Sequence, residues 1–428
     1  MAFQQGLSGL GASSRALDVI SSNVANASTV GFKASSAVFA DTFASAMSGG
    51  ISNLQVGMGG NTLAVRQSFT QGATTATNNP LDMAIAGNGF FVIERNNGST
   101  AYSRNGQFDL DKDGYIVNSL GERLQGYQTL STTDGSVSFL GSTTPRSILV
   151  PPDGISAKAT GGGDANADGI PDGDPVSIRG NLDSAATAPD SVANPFSFSV
   201  PSSYNYTTSA TVYDSLGNDH SLSMFFVKLD PATNPNEWDV YTTFDGVGAV
   251  PPVGNRIGFN SSTGSYDPLL STGMPINVSV NSAALGTGAA DLLFNVDLTS
   301  FTQRSSDSAV FEITQDGSPP GEIASVSVSP NGIVQGRYTN GETRDLAQVV
   351  LATFRNPNGL VSLGDNLWAE SADAGQAAIA SPGAGLNGTI GSGRVEESNV
   401  DMSQELVNMI IQQRNYQANA QSIKTQDQ

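Results

Sequence analysis

The sequence offers few residues with which to do chemistry. It has one histidine, His220, and no cysteine. His220 follows a turn-like stretch, Ser215-Leu-Gly-Asn-Asp219, and has no second histidine or thiolate to complete a triad or a zinc site. No Walker loop, dinucleotide fingerprint, His-Glu-x-x-His pair or nucleophile-elbow serine is present. Acidic residues are numerous enough for a glycosidase pair, but no spacing singles one out. The expectation is a protein that is not an enzyme. One cation set stands out. Asp164-Ala-Asn-Ala-Asp-Gly-Ile-Pro-Asp172 has the D-x-N-x-D-G form, in which Asp164, Asn166, Asp168 and Asp172 would offer hard oxygens to Ca²⁺. Its twelfth position is Pro175, with Asp174 beside it, where a bidentate carboxylate is required, so a solvated acidic loop competes with the calcium reading. Asp109-Leu-Asp-Lys-Asp-Gly114 has a similar form, but its Asp-Gly lies between apolar runs and suits a hairpin turn. No other cofactor is called for.

What could position such residues follows from composition. A chain of 428 residues exceeds one ordinary domain. Hydrophobic residues make up 38% and charged residues 14%, while 48 glycines and 20 prolines favour turn-rich β structure over a helical enzyme. The net charge is −20, and no basic patch invites nucleic acid. Residues 1–33 carry +1 and residues 396–428 carry −3, which leaves −18 for the middle. An acidic, solvated body between nearly neutral ends is the pattern. Met1-Ala-Phe-Gln-Gln lacks the basic region of a secretory signal. No stretch approaches the roughly 20 apolar residues of a membrane span, so membrane insertion is not expected.

The ends read as helices. Phe3, Leu7, Leu10, Ser14, Leu17, Ser21 and Val24 alternate at spacings of four and three, as do Met402, Leu406, Met409, Gln413, Tyr416, Ala420 and Ile423. Ser398-Asn-Val-Asp401 has the form of a capping box for the second helix, and Gly31 is a natural stop for the first. Neither helix has a helical neighbour in sequence, so the expected partners are each other and copies in other molecules. The middle reads as strands. Phe90–Ile93 precedes an Asn-Asn-Gly turn. Leu222, Met224 and Phe226 share one face of a strand, and Trp238, Val240, Thr242 and Phe244 share one face of the next. Residues 141–205 and 246–290 are broken by Gly and Pro.

The expected architecture is multi-domain. The terminal α-helices, 1–32 and 396–428, form a coiled-coil-like core domain. Connecting segments at 33–71 and 372–395 lead to two mainly-β outer domains. The inner one comprises 72–145 and 304–371, and the outermost, 146–303, is inserted in it. Glycines 49, 50, 57, 59 and 60, and those from Gly383 to Gly393, would serve as hinges.

Three segments together resemble the flagellar rod and hook protein family. They are Asn23-Val-Ala-Asn26 through Gly31-Phe32-Lys33, Asp82-Met-Ala-Ile85 through Tyr102-Ser-Arg104-Asn-Gly106, and Glu397-Ser-Asn399-Val-Asp401 through Gln413-Arg-Asn-Tyr416. The stretches Ala210–Asp214, Phe225–Lys228, Asn236–Tyr241 and Leu363–Trp368 resemble its hook members. The resemblance implies a self-assembling helical homopolymer with paired termini as the inner wall of a tube. It implies a flexible joint that transmits torque in the extracellular flagellum. Its implied partners are the distal rod protein, the hook cap, the hook–filament junction protein and the flagellar type III export apparatus, which needs no cleaved signal. Phe39-Ala-Asp-Thr-Phe43 resembles the export-gate pattern of early substrates; two phenylalanines on one side of a helical turn is the competing reading. Family members usually run on for another helical turn past the position of Gln428. The alternatives are another, distal-rod-like axial subunit or a secreted calcium-dependent β-rich adhesin.

Overall fold

The structure is a computed structural model that describes residues 2–41, 59–131, 137–138, 144–162, 174–190, 195–249 and 255–426. The chain divides into two compact units. The first comprises Met1–Pro152, Ile323–Arg337 and Thr343–Gln428. The second comprises Asp153–Glu322 and Tyr338–Glu342.

In the first unit a large sheet runs, in spatial order, through Ile323–Val328, Ile333–Tyr338, Thr343–Val349, Arg123–Gln128, Phe90–Glu94, Thr100–Ser103, Leu367–Ala369 and Val361–Gly364. Phe90-Phe-Val-Ile93 is apolar without a break because both sheet faces are covered there. Phe91 and Ile93 enter one core with Leu124, Val349 and Leu351. Phe90 and Val92 enter a second with Tyr102, Phe354 and Trp368. The Asp109–Gly114 motif is a hairpin turn. Asp111 Oδ1 accepts from the backbone N–H of Asp113 at 2.9 Å and of Tyr115 at 2.7 Å. Gly114 has φ 84°, and a Cβ there would stand 2.2 Å from the carbonyl oxygen of Val150.

The second unit encloses one core between two sheets. One sheet contains Ile276–Val280, Leu292–Asp297, Val176–Asp183, Thr302–Arg304 and Ala309–Thr314. The other contains Tyr206–Tyr213, Asp219–Lys228, Glu237–Phe244, Val247–Ala249 and Arg256–Gly258. Leu222, Met224 and Phe226 all point into this core, as do Trp238, Val240 and Phe244. The period-two reading of these strands therefore chose the right face.

Several boundaries differ from the sequence expectation. The N-terminal helix spans Ala2–Ala25, so it ends before Gly31. The C-terminal helix spans Met402–Gln426, and its cap is Asp401, not Ser398. Asp401 Oδ1 accepts from Ser403 N at 2.9 Å and Gln404 N at 3.1 Å, the bonds of an N-cap. The segment 33–71 is not a plain connector: Ser35–Asp41 pairs antiparallel with Gly60–Gln67. Nor is 372–395, where Thr389–Ser392 pairs with Met83–Ala86, and Arg394–Glu396 pairs with Thr74–Ala76. Local glycine content suggests hinges there, but backbone pairing with distant strands overrides it. Glycines 49, 50 and 57 lie outside the described residues. The strand Ala309–Thr314 pairs with Val176–Asp183, so residues 304–322 belong to the second unit instead of the first.

Candidate assembly site

The two terminal helices pack antiparallel within the first unit. A Cβ on Gly6 would meet Ile423 Cγ1 at 2.9 Å, and one on Gly9 would meet the Asn419 side chain at 2.9 Å. Asn23 Nδ2 reaches Glu405 Oε1 at 3.2 Å near the other end of the pair. The buried positions of the N-terminal helix are Gly6, Ser13, Ala16, Ile20 and Asn23. This face lies one residue away from the stripe of Leu7, Leu10, Leu17 and Val24. Leu7 is 55% exposed, while Leu10, Leu17 and Val24 are half-buried. The side chain of Phe3 lies outside the described residues. Small residues let the backbones approach, so the intramolecular seam takes the glycines, and the larger apolar side chains stand beside it.

The C-terminal helix has no buried residue among those described. Met409, Ala420 and Ile423 are half-buried. Met402, Leu406, Val407, Ile410, Ile411 and Tyr416 are between 38% and 52% exposed. A groove of about 200 Å³ between the helices and the first strand pair is lined by Ala16, Ile20, Ala37, Phe39, Asn408 and Ile411, among others. Phe39 sits on the strand Ser35–Asp41, so the helical-turn reading of Phe39–Phe43 fails at Phe39. Phe43 lies outside the described residues, as does the calcium candidate Asp164, Asn166, Asp168 and Asp172.

Below the helices, three charges from distant parts of the sequence meet in a dry clasp. Glu396 Oε1 accepts from Lys33 Nζ at 2.5 Å and from Gly72 N at 2.9 Å. Glu396 Oε2 lies 3.3 Å from Arg104 Nη1. The Lys33 and Glu396 side chains are fully buried, and that of Arg104 almost so. Lys33 also donates to Thr70 O at 2.7 Å, and Arg104 Nη2 donates to Gly87 O at 3.0 Å. Burial pushes the Lys33 ammonium below its ordinary value, against the hydrogen bond and charge of Glu396; nearby Arg104 adds to the lowering. Burial also lowers Arg104, again opposed by Glu396. Gly31 N donates to the Glu396 carbonyl at 2.8 Å. Gly31 has φ 72°, and a Cβ there would fall 2.5 Å from Asn105 N, so no other residue fits without displacement.

Two asparagines extend the clasp by copying backbone pairing. Asn23 donates from Nδ2 to Ser35 O at 2.7 Å and accepts at Oδ1 from Ser35 N at 2.9 Å. Asn399 accepts from Ala34 N at 2.7 Å and donates to Ser68 O at 2.8 Å. Asn26 donates to Ser22 O at 2.9 Å, closing the turn after the helix, and Phe32 is half-buried. Of the signature residues, Asn23, Gly31 and Lys33 therefore bond across the chain, to Ser35, Glu396 and Thr70. Sequence reading missed Glu396 and its pairing with both Lys33 and Arg104. The only signal was that all three fall in or beside the quoted motifs.

His220 is a separate polar centre, in the second unit. Its Nδ1 lies 2.7 Å from Asp245 Oδ2 and its Nε2 3.4 Å from Asp214 Oδ2. Its ring stacks on Phe244 at 5.0 Å. Burial alone would lower its pKa, but the two carboxylates outweigh burial and raise it. Asp214 is itself buried, which acts to raise it, yet hydrogen bonds from Asn218, Thr287 and the Leu216 N–H hold it below the usual carboxylate range. Both ring nitrogens face carboxylates, so the ring ties Asp214 to Asp245.

Four family models match the chain: Flagella basal body rod protein over residues 3–33, the Flagellar hook protein FlgE/F/G D1 domain over 84–164, the Flagellar basal body protein FlaE D2 domain over 181–318, and the Flagellar basal body rod FlgEFG protein C-terminal over 392–428. They define a flagellar axial protein of the rod and hook class. The Flagellar hook protein FlgE of Escherichia coli (strain K12) is 39% identical over 100% of this chain and 98% of that protein. That of Borreliella burgdorferi is 30% identical over 99% of this chain and 96% of that protein. The chain belongs to the flagellar hook protein FlgE family and is a structural subunit of the flagellar hook. Its fold is shared with the crystal structure of Helicobacter pylori flagellar hook protein FlgE2, at a TM-score of 0.50 and 16% identity over 74% of this chain and 98% of that one. Among the described residues no helix is long and apolar enough to cross a membrane.

Proposed function

We propose that copies of this chain join through their terminal helices into a tubular homopolymer, the flexible joint that carries torque between rod and filament. The observation that carries this is the C-terminal helix: it spans Met402–Gln426 with no residue buried among those described and six large apolar side chains exposed. A helix so placed leaves much of its apolar area in water, and covering that area with a neighbouring copy gains about 25 cal/mol per Å². In the polymer the paired helices form the coiled-coil-like inner wall. The second unit is an outer domain inserted in the first, with polar surfaces that exchange partners as the tube bends. The polymer is flagellar and extracellular. The chain leaves the cell through the flagellar type III apparatus without a cleaved signal and meets the distal rod, hook cap and hook–filament junction proteins. The acidic loop 164–174 has no assigned role in this reading.

Ile410→Glu is the direct test. Ile410 is exposed, so the melting temperature of the monomer should stay within the equivalent of about 0.5 kcal/mol. Sedimentation and electron microscopy should show loss of polymer. Full-length tubes at wild-type concentrations would refute assembly through this face.

A further inference from the structure

The seam between the terminal helices does little to fix its own register. Gly6 faces Ile423, Gly9 faces Asn419, and Asn23 faces Glu405. The buried positions on the N-terminal side are Gly6, Ser13, Ala16, Ile20 and Asn23. Opposite them stand half-exposed Asn419, Gln412, Asn408 and Glu405. Sliding one helix by four residues sets Gly9 against Ile423 and Ser13 against Asn419, so small residues again take the opposing side chains. Ile423 leaves one glycine for another, so packing discriminates weakly between the two arrangements.

The clasp discriminates strongly. Any slide of Glu396 removes the only carboxylate within ion-pair distance of Lys33 and Arg104 among the described residues and leaves two buried cations dry. It also breaks the bonds of Glu396 to Gly31 and Gly72 and those of Asn399 to Ala34 and Ser68. A buried ion pair adds little net stability, but a misplaced buried charge is heavily penalised. We propose that Lys33, Arg104 and Glu396, with Asn399, are the positioning residues that set the longitudinal register of the terminal helix pair. The helices supply the surface, and the clasp decides how that surface is aligned. A mis-registered pair would offer a displaced face to the next copy; that consequence alone rests on the homopolymer reading.

The chain contains no cysteine, so engineered pairs report register cleanly. In the full-length dissolved chain, Gly6→Cys with Ile423→Cys reads the native register, and Gly9→Cys with Ile423→Cys reads the four-residue slide. With an intact clasp the first pair should oxidise and the second should stay reduced. Adding Glu396→Gln should raise the rate of the second cross-link by about tenfold or more. Asn399→Ala strands no charge and should give a smaller rise in the same direction. Emission from Trp368, buried in the first unit, reports whether that unit is still folded. If Glu396→Gln unfolds it, Asn399→Ala decides. An unchanged cross-link pattern in a folded variant overturns the proposal. Because the assay reads single chains, it stands or falls separately from polymer formation.

Discussion

The most consequential side chain is Glu396, because it neutralises two cations that water cannot reach. Glu396→Gln keeps the shape and removes the charge. It should lower the stability of the first unit by about 3–5 kcal/mol, the usual effect of stranding a buried charge. Thermal unfolding followed by Trp368 emission measures this. Gly31→Ala should cost at least about 1–2 kcal/mol for the left-handed backbone alone, with the close contact to Asn105 adding to it. Its effect belongs to the same Trp368 transition. His220 predicts a pH dependence in the second unit. Its folded pKa lies above its unfolded value of about 6.5, so its contribution is complete below that value and is lost as pH rises through the folded pKa. The groups facing the ring are Asp214 and Asp245. The melting temperature of the second unit should therefore fall as pH is raised from 6 through the folded pKa, and His220→Gln should flatten that slope. A slope unchanged by the substitution would assign the pH dependence elsewhere.

The terminal helices differ in how they are held. The N-terminal helix has a buried face, and the C-terminal helix depends on its cap and on a half-buried seam. Asp401→Ala should cost about 1 kcal/mol, read as lost helical ellipticity in the monomer, because so little packing compensates. The same substitution should be partly rescued in polymer, where a neighbour covers the helix. The strand pair Ser35–Asp41 and Gly60–Gln67 joins helix to sheet through specific contacts. Trp368 Nε1 donates to Gln67 Oε1 at 2.7 Å, and Phe69 packs edge-on against Trp368 at 5.6 Å. A segment that composition marks as a linker is thus docked by its aromatic and amide residues.

Each unit has one tryptophan in an apolar core of its own, Trp368 in the first and Trp238 in the second. Glu396→Gln should shift the Trp368 transition and leave that of Trp238 in place, measured with Trp238→Phe and Trp368→Phe backgrounds. Coincident shifts of both would show that the units unfold as one.

Much of this was legible in the sequence because it depends on local periodicity. The period-two strands around Leu222–Phe226 and Trp238–Phe244, the Asp-Gly hairpin at 113–114, and the helices at both ends follow from backbone geometry acting over a few residues. On the N-terminal helix the apolar stripe and the intramolecular seam differ by one position. Hydrophobicity favours Leu7 and Leu17, whereas close backbone approach favours Gly6, Gly9 and Ala16, and only the partner helix reveals which demand wins. That the histidine is single was plain from composition, while its two carboxylates, one of them across a hairpin at Asp245, were not. Glu396 lies hundreds of residues from Lys33 and Arg104, and nothing local marks a lysine as buried. Their meeting, and the conversion of apparent linkers into paired strands, were decided by the tertiary structure alone. There, dehydrating a charge or an amide is tolerable only where a distant partner is already in place.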